Sequence, residues 1–142
     1  MTRTRLVLFG TPVITIGQKP VHRLRRKSIA LLAFLAVENR FVGRDTLATL
    51  LWPDSSQAHA RANLRSCICD INAALDDALR TDGGPIALDD RRVWSDVRRF
   101  AALIVALSAG VEGTERQTAL AEAERLCPGT FLEGFTLREC SE

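Results

Sequence analysis

Apolar residues recur with the period of an α-helix along one long stretch of the chain, residues 55–79. Four large apolar side chains in it are separated by steps of four, three and four residues: Leu64, Ile68, Ile71 and Leu75. At 3.6 residues per turn these positions form one stripe, which predicts a long helix with one buried face. The short oxygen-bearing side chain of Asp54, Ser55 or Ser56 can cap its first turn.

The outward face of this predicted helix is unlike a core-facing surface. Measured from the first residue of the stripe, Ala58, Ala62, Arg65 and Cys69 cluster between about 100° and 160°, with Arg61 at the border. Small side chains allow a close approach to another surface, and the arginines supply positive charge. A helix that enters a DNA major groove uses both properties.

Short alternating segments before this helix predict strands in three places: residues 6–9, 13–16 and 19–22. Pro12 and Pro20 confine these strands to sheet edges or strand ends, so we expect a small antiparallel sheet. Helical patterns follow at residues 27–38 and 44–51. The second helix ends before Pro53, because proline disfavours helical geometry in the residue that precedes it.

After the long helix the pattern predicts a β-hairpin and then further helices. Residues 86–88 and 93–95 are strand-like, and polar residues 89–92 between them form a tip. We expect Arg91 and Arg92 at this tip to reach a phosphate or a minor groove. The order of sheet, helix, helix, long helix and hairpin is that of a winged helix-turn-helix, an α+β fold.

Charge is unevenly distributed, although the whole chain of 142 residues carries a net charge of only +2. Residues 1–44 contain nine basic residues against Glu38 and carry +8, whereas residues 45–96 carry −4 and residues 97–142 carry −2. An electropositive end favours an oriented encounter with a polyanion, and a solvated basic face is the alternative.

Three of these basic residues, Arg25, Arg26 and Lys27, stand directly before the first predicted helix. The helix dipole does not favour cations at a helix N-terminus. We therefore expect these side chains to serve a ligand, which in this setting is a DNA phosphate.

The remaining features argue against other classes of protein. No apolar run in the sequence, including the one at residues 100–107, approaches the roughly 20 residues that span a bilayer. The N-terminus lacks the features of a signal peptide, so we expect a cytoplasmic protein with no membrane contact. No glycine-rich phosphate loop occurs, and neither His22 nor His59 stands in a cluster of catalytic or metal-ligating residues. We therefore expect neither an enzyme nor a cofactor or metal.

Several short words occur together in the sequence: LFG at residues 8–10, RRK at 25–27, LLWPD at 50–54 and ARANLR at 60–65. In this order and spacing they closely resemble the DNA-binding domain of SARP-type transcriptional activators, which is an OmpR-type winged helix. FLEGF followed by LR, within residues 131–138, resembles a signature near the start of the bacterial transcriptional activator domain. That all-helical, TPR-like unit follows the winged helix in the family.

The resemblance implies a domain organisation and a function. Residues 1–95 would be the winged-helix DNA-binding domain, and residues 96–142 the initial helices of a TPR-like domain that is incomplete at residue 142. Such a protein binds promoter direct repeats in double-stranded DNA, with a homodimer on the DNA, and contacts RNA polymerase to activate transcription. Its reading elements would be the helix at residues 55–79 and the wing at residues 86–95.

The resemblance also assigns site residues by position. Arg61 and Arg65 would contact phosphates or bases, and Arg91 and Arg92 would be wing contacts. The remaining candidates lie near the helix start, where hydroxyl and imidazole groups can donate to phosphate, or on the small face: Ser55, Ser56, His59 and Ala62.

The second half of the long helix supports a different hypothesis. It carries Cys67, Cys69, Asp70 and Asn72, where members of the family are usually arginine-rich. The alternative function is therefore a protein-interaction or dimerisation module, built on a winged helix that no longer reads DNA.

Overall fold

The computed structural model describes residues 3–81, 84–127 and 129–135, which form six short strands and five helices. The strands are β1 (Thr4–Val7), β2 (Val13–Ile16), β3 (Lys19–Pro20), β4 (Leu79–Arg80), β5 (Ala87–Leu88) and β6 (Val93–Ser95). The helices are α1 (Arg26–Glu38), α2 (Arg44–Leu51), α3 (Gln57–Ala74), α4 (Asp96–Ser108) and α5 (Gly113–Leu126). None of these described helices combines the length and the apolar character needed to cross a membrane.

The N-terminal strands form the predicted antiparallel sheet, in the order β3-β2-β1. Strand β1 covers residues 4–7 rather than the predicted 6–9, and β3 ends at residue 20 rather than 22. Thr4 of β1 pairs with Ile16 of β2, and Pro20 lies on the edge strand β3, where its missing N–H costs no ladder hydrogen bond. The sheet gains a fourth strand that the sequence pattern did not predict here. Strand β6 adds to the other side of β1 in parallel, with Val93 opposite Thr4.

The core lies where α1, α2 and α3 pack together. Side chains from all three helices are almost fully buried, among them Leu31, Leu35, Leu47, Leu64 and Ile71. The predicted stripe of α3 is confirmed, since its four large apolar residues are all buried. Each such side chain removed from water contributes about 1.5–3 kcal/mol, so α3 is held by this face while its other face stays exposed.

Helix α3 ends at Ala74, five residues earlier than predicted. Asp76 and Asp77 follow in the left-handed conformation, with φ of 53° and 59°, which aspartate tolerates better than most residues. The Asn72 side-chain oxygen accepts a hydrogen bond of 2.9 Å from the Leu79 amide. Leu79, the last residue of the predicted helix, is buried in strand β4 instead, because the chain has already left the helix.

The predicted hairpin at residues 86–95 is wrong in its position. Strand β5 pairs with β4, with Leu79 opposite Leu88, and β6 joins β1 instead. Because α3 ends early, residues 79–80 are free to form β4 and make this pairing. The connection between the two strands contains residues 81–85, whose composition is typical of a turn. We call residues 79–88 the wing; its residues 82 and 83 lie outside the described part of the chain.

Helix α4 is tied to the N-terminal sheet by a buried carboxylate. Asp96 is only 2% exposed, and its oxygens accept hydrogen bonds from the amides of Leu8 (2.9 Å), Phe9 (3.0 Å) and Val97 (2.8 Å). The guanidinium of Arg98, in the same first turn of α4, donates to carbonyls at the end of α1. These bonds fix α4 against both β1 and α1.

The chain that follows α5 packs against the segment directly after β1. Residues 130–133 run antiparallel to residues 8–10, with hydrogen bonds of 2.8 Å from Gly10 N to Thr130 O and from Leu132 N to Leu8 O. The Phe9 ring lies between those of Phe100 and Phe131, at centroid distances of 5.3 and 6.2 Å. Two of the words found in the sequence, LFG and FLEGF, therefore contact each other.

Replacing the buried carboxylate tests this attachment. We expect Asp96→Ala to lower the free energy of unfolding, measured by urea titration, by about 3 kcal/mol, because buried amides lose their acceptor. Asp54→Asn, at an exposed aspartate, is the control and should change it by less than about 0.5 kcal/mol. An equally small effect of Asp96→Ala would contradict a supporting role for this carboxylate.

Candidate nucleic-acid interface

Helix α3 presents one face to solvent along its whole length. Ala58, Ala62, Arg65 and Cys69 are exposed on it, and Arg61 is exposed at its edge. The arrangement inferred from the helical period is therefore present in the structure. The first half of this face has small side chains and carries positive charge, which together suit a close approach to a polyanion.

The start of α3 is capped by Ser56. Its hydroxyl oxygen accepts a hydrogen bond of 3.2 Å from the His59 amide, and lies 3.3 Å from the His59 Nδ1 atom. Ser55 precedes it, and all three side chains are exposed. The three polar residues predicted at this end of the helix are therefore brought together at its N-terminus, where unpaired amides favour negative charge.

The two candidate arginines of α3 have different surroundings. Arg61 donates from Nε to Asp45 Oδ1 at 2.8 Å, and the two side chains are 51% and 64% exposed. The hydrogen bond and the charge of Arg61 lower the pKa of the Asp45 carboxyl. The same hydrogen bond and the charge of Asp45 raise the pKa of Arg61, so the pair is ionised at neutral pH. Arg65, one turn later, is exposed and has no hydrogen-bond or ion-pair partner among the described residues.

The first turn of α2 connects this helix face to the wing. Asp45 contacts Arg61, and the adjacent Arg44 donates from Nε to the Gly84 carbonyl in the wing turn at 2.9 Å. Next to the wing turn, Ile86 and Val42 exchange two backbone hydrogen bonds of 2.8 Å. The exposed face of α3 and the wing turn therefore flank the same end of α2.

One basic residue in the wing and one that contacts it were not among the predicted site residues. They are Arg44 and Arg80, whose guanidinium lies 5.3 Å from the centre of the Phe41 ring. The composition of residues 81–85 marks a hairpin turn, which is a sequence signal for the adjacent Arg80 but not for the distant Arg44. Reading that turn as the wing would have drawn attention to the residues that flank it.

The three basic residues predicted to bind phosphate at the start of α1 lie in different surroundings. Arg25 lies beside the second half of α3 and forms an ion pair of 2.7 Å with Asp70. The Lys27 ammonium donates to the Leu51 carbonyl at the C-terminal end of α2, where the helix dipole favours a cation. Arg26 is exposed in the first turn of α1. Arg25 and Arg26 therefore lie at the surface, whereas Lys27 links α1 to α2.

Arg91 and Arg92 do not lie in the wing turn. They follow β5, and the Arg92 guanidinium donates to the Asp76 carbonyl just after α3 at 3.3 Å. With Arg3 they line a concave surface at the C-terminal end of α3. Their predicted location at the wing tip is wrong, because it depended on pairing β5 with β6.

Comparison with known proteins identifies a structural relative. No protein-family model and no curated protein matches the sequence. Among solved structures, the chain is similar to the SARP-family regulator EmbR of Mycobacterium tuberculosis, in complex with a low-affinity phosphopeptide, with a TM-score of 0.74 and 28% identity. The match covers 95% of this chain and 38% of the EmbR chain. The likeness supports a SARP-like winged-helix fold.

The cap of α3 can be tested without DNA. We expect Ser56→Ala to lower the free energy of unfolding by about 1 kcal/mol, because the amides of the first turn lose a side-chain acceptor. The matched control is Ser55→Ala, at the preceding serine, which should change stability by less than about 0.5 kcal/mol. The same loss in both variants would show that the cap is not specific to Ser56.

Proposed function

We propose that this chain is a sequence-specific DNA-binding transcriptional regulator, which inserts α3 into a major groove and places the wing against the adjacent backbone. One observation carries the proposal. The exposed arginines of α3 lie at the same end of α2 as the wing turn, joined to it through Arg44 and Asp45. Winged helices contact DNA with a helix and a hairpin that lie on the same side of the domain.

The dimensions of α3 suit this role. Its 18 residues correspond to a length of about 27 Å, and a major groove about 12 Å wide admits such a helix by its first turns. Ala58 and Ala62 permit a close approach, while Arg61 and Arg65 reach base edges or phosphates. Ser56 and His59 at the helix start are the candidates for phosphate contacts.

The wider role follows from the likeness to EmbR and from the resemblance to SARP-type activators. The regulator would bind promoter direct repeats as a homodimer, contact RNA polymerase and act as an activator rather than as an enzyme. Residues 1–95 would bind DNA, and α4 and α5 would begin a TPR-like region in residues 96–142, of which residues 136–142 lie outside the described part.

A second candidate function is favoured by the second half of α3. Its exposed residues there are Ser66, Cys69, Asp70 and Ala73, and the nearby Arg25 is paired with Asp70. A neutral surface of this kind suits a protein partner better than a phosphate backbone. The alternative is therefore an interaction or dimerisation module on the same face.

Selection of genomic DNA fragments by the purified chain distinguishes the two functions. We expect enrichment, at low and at moderate salt, of fragments that share a direct repeat spaced by about one helical turn, 10–11 bp. Sequencing of the bound fraction gives the operator. Retention of all fragments at low salt and of none at moderate salt would mean phosphate contact alone and would favour the interaction module.

Paired arginine variants locate the interface. We expect Arg61→Ala with Arg65→Ala to weaken binding to the selected operator at least ten-fold. The dependence of log K on log salt should fall by about 0.9 for each phosphate that these arginines neutralise in the wild-type complex. The control is Arg91→Ala with Arg92→Ala, which removes the same charge at the far end of α3. Equal effects of the two double variants on a fluorescence-anisotropy titration would show that α3 does not read the groove.

A further inference from the structure

The arginine at the edge of the α3 face is held by a residue of another helix. Asp45, the second residue of α2, accepts the Nε–H of Arg61 at 2.8 Å, while both side chains remain largely exposed. Exposed ion pairs contribute little to stability, because water screens the charges and the long side chain loses freedom. The contact therefore has a small effect on the fold and a direct effect on where the guanidinium points.

We propose that Asp45 is a positioning residue for base readout by Arg61, and that it thereby sets the sequence discrimination of α3. This inference rests on the proposed function. Asp45 itself does not need to contact the DNA. Asp45 acts through the guanidinium of Arg61 and through its own negative charge.

The first effect is geometric. A guanidinium has five N–H donors in one plane, and Asp45 engages only the donor at Nε. The two terminal nitrogens remain available, and two parallel donors match the O6 and N7 acceptors of guanine. Because the side chain is already oriented, it gives up less rotamer freedom when it docks on a base.

The second effect is electrostatic. A carboxylate beside the groove-facing arginine repels phosphates, so it weakens binding to every sequence. An arginine without this partner is free to turn toward the backbone, where a phosphate accepts it regardless of sequence. Both effects lower the affinity for non-specific DNA relative to the affinity for the operator.

The chain offers a matched comparison in a second exposed pair. Asp70 of α3 contacts Arg25 at 2.7 Å, and these side chains are 55% and 60% exposed. Arg25 belongs to the segment before α1 and does not belong to the first turns of α3. Removing the charge of Asp70 therefore changes the local charge by the same amount as removing that of Asp45, without releasing Arg61.

The experiment titrates the full chain with its selected operator and with a scrambled duplex of the same length, at several salt concentrations. For Asp45→Asn we expect tighter binding to the scrambled duplex and a ratio of operator to scrambled affinity reduced about ten-fold, the value of a bidentate base contact. The salt dependence should steepen by about 0.9 as Arg61 moves to a phosphate. For Asp70→Asn both affinities should rise together and leave the ratio unchanged.

A lysine at the arginine position completes the test. Arg61→Lys keeps the charge but lacks the planar pair of donors, so it should lower the ratio by itself, and adding Asp45→Asn should lower it no further. Parallel changes in Asp45→Asn and Asp70→Asn would overturn the inference, since charge alone would explain them. A loss of both affinities with a lower melting temperature in Asp45→Asn would also overturn it. If the wild-type chain binds both duplexes equally, the proposed function fails, and this inference fails with it.

Discussion

The architecture depends on where α3 stops. Asp76 and Asp77 turn into the left-handed region directly after the helix, and Asn72 accepts the amide of Leu79 through its side chain. The chain therefore reverses while Leu75 and Leu79 both remain buried. This reversal creates β4, and β4 in turn places the wing next to the link between α1 and α2.

The first turn of α2 then becomes the junction of the candidate interface. Arg44 contacts the wing turn and Asp45 contacts α3, so two neighbouring residues relate the hairpin to the helix. The acidic residues in this region do more than lower the net charge, because some of them form ion pairs with particular arginines. Two of them, Asp45 and Asp70, each contact an arginine at the face of α3, so the local arrangement says more than the net charge of +2.

The segment that follows β1 is held by hydrogen bonds to its backbone groups. Asp96 accepts from the amides of Leu8 and Phe9, and residues 130–133 pair with the following backbone groups of residues 8–10. The amides of residues 8–10 and the carbonyls of Leu8 and Gly10 thus find partners in α4 or after α5, as buried backbone groups require. In the described part of the chain, the helices that follow the wing are attached to the N-terminal sheet by these contacts.

Local periodicity in the sequence by itself determined the presence of strands before α1, the bounds of α2 and both faces of α3, because these features depend on neighbours within one element. The small exposed face and the place of Arg61 and Arg65 on it followed from the same period. Only the tertiary structure decided where α3 ends, which strand pairs with β5 and which acid holds each arginine. These outcomes depend on competition between distant segments. The sequence of β6 is compatible with a hairpin to β5, but in the structure β6 pairs with β1. Because α3 ends early, at Ala74, β4 is available to pair with β5.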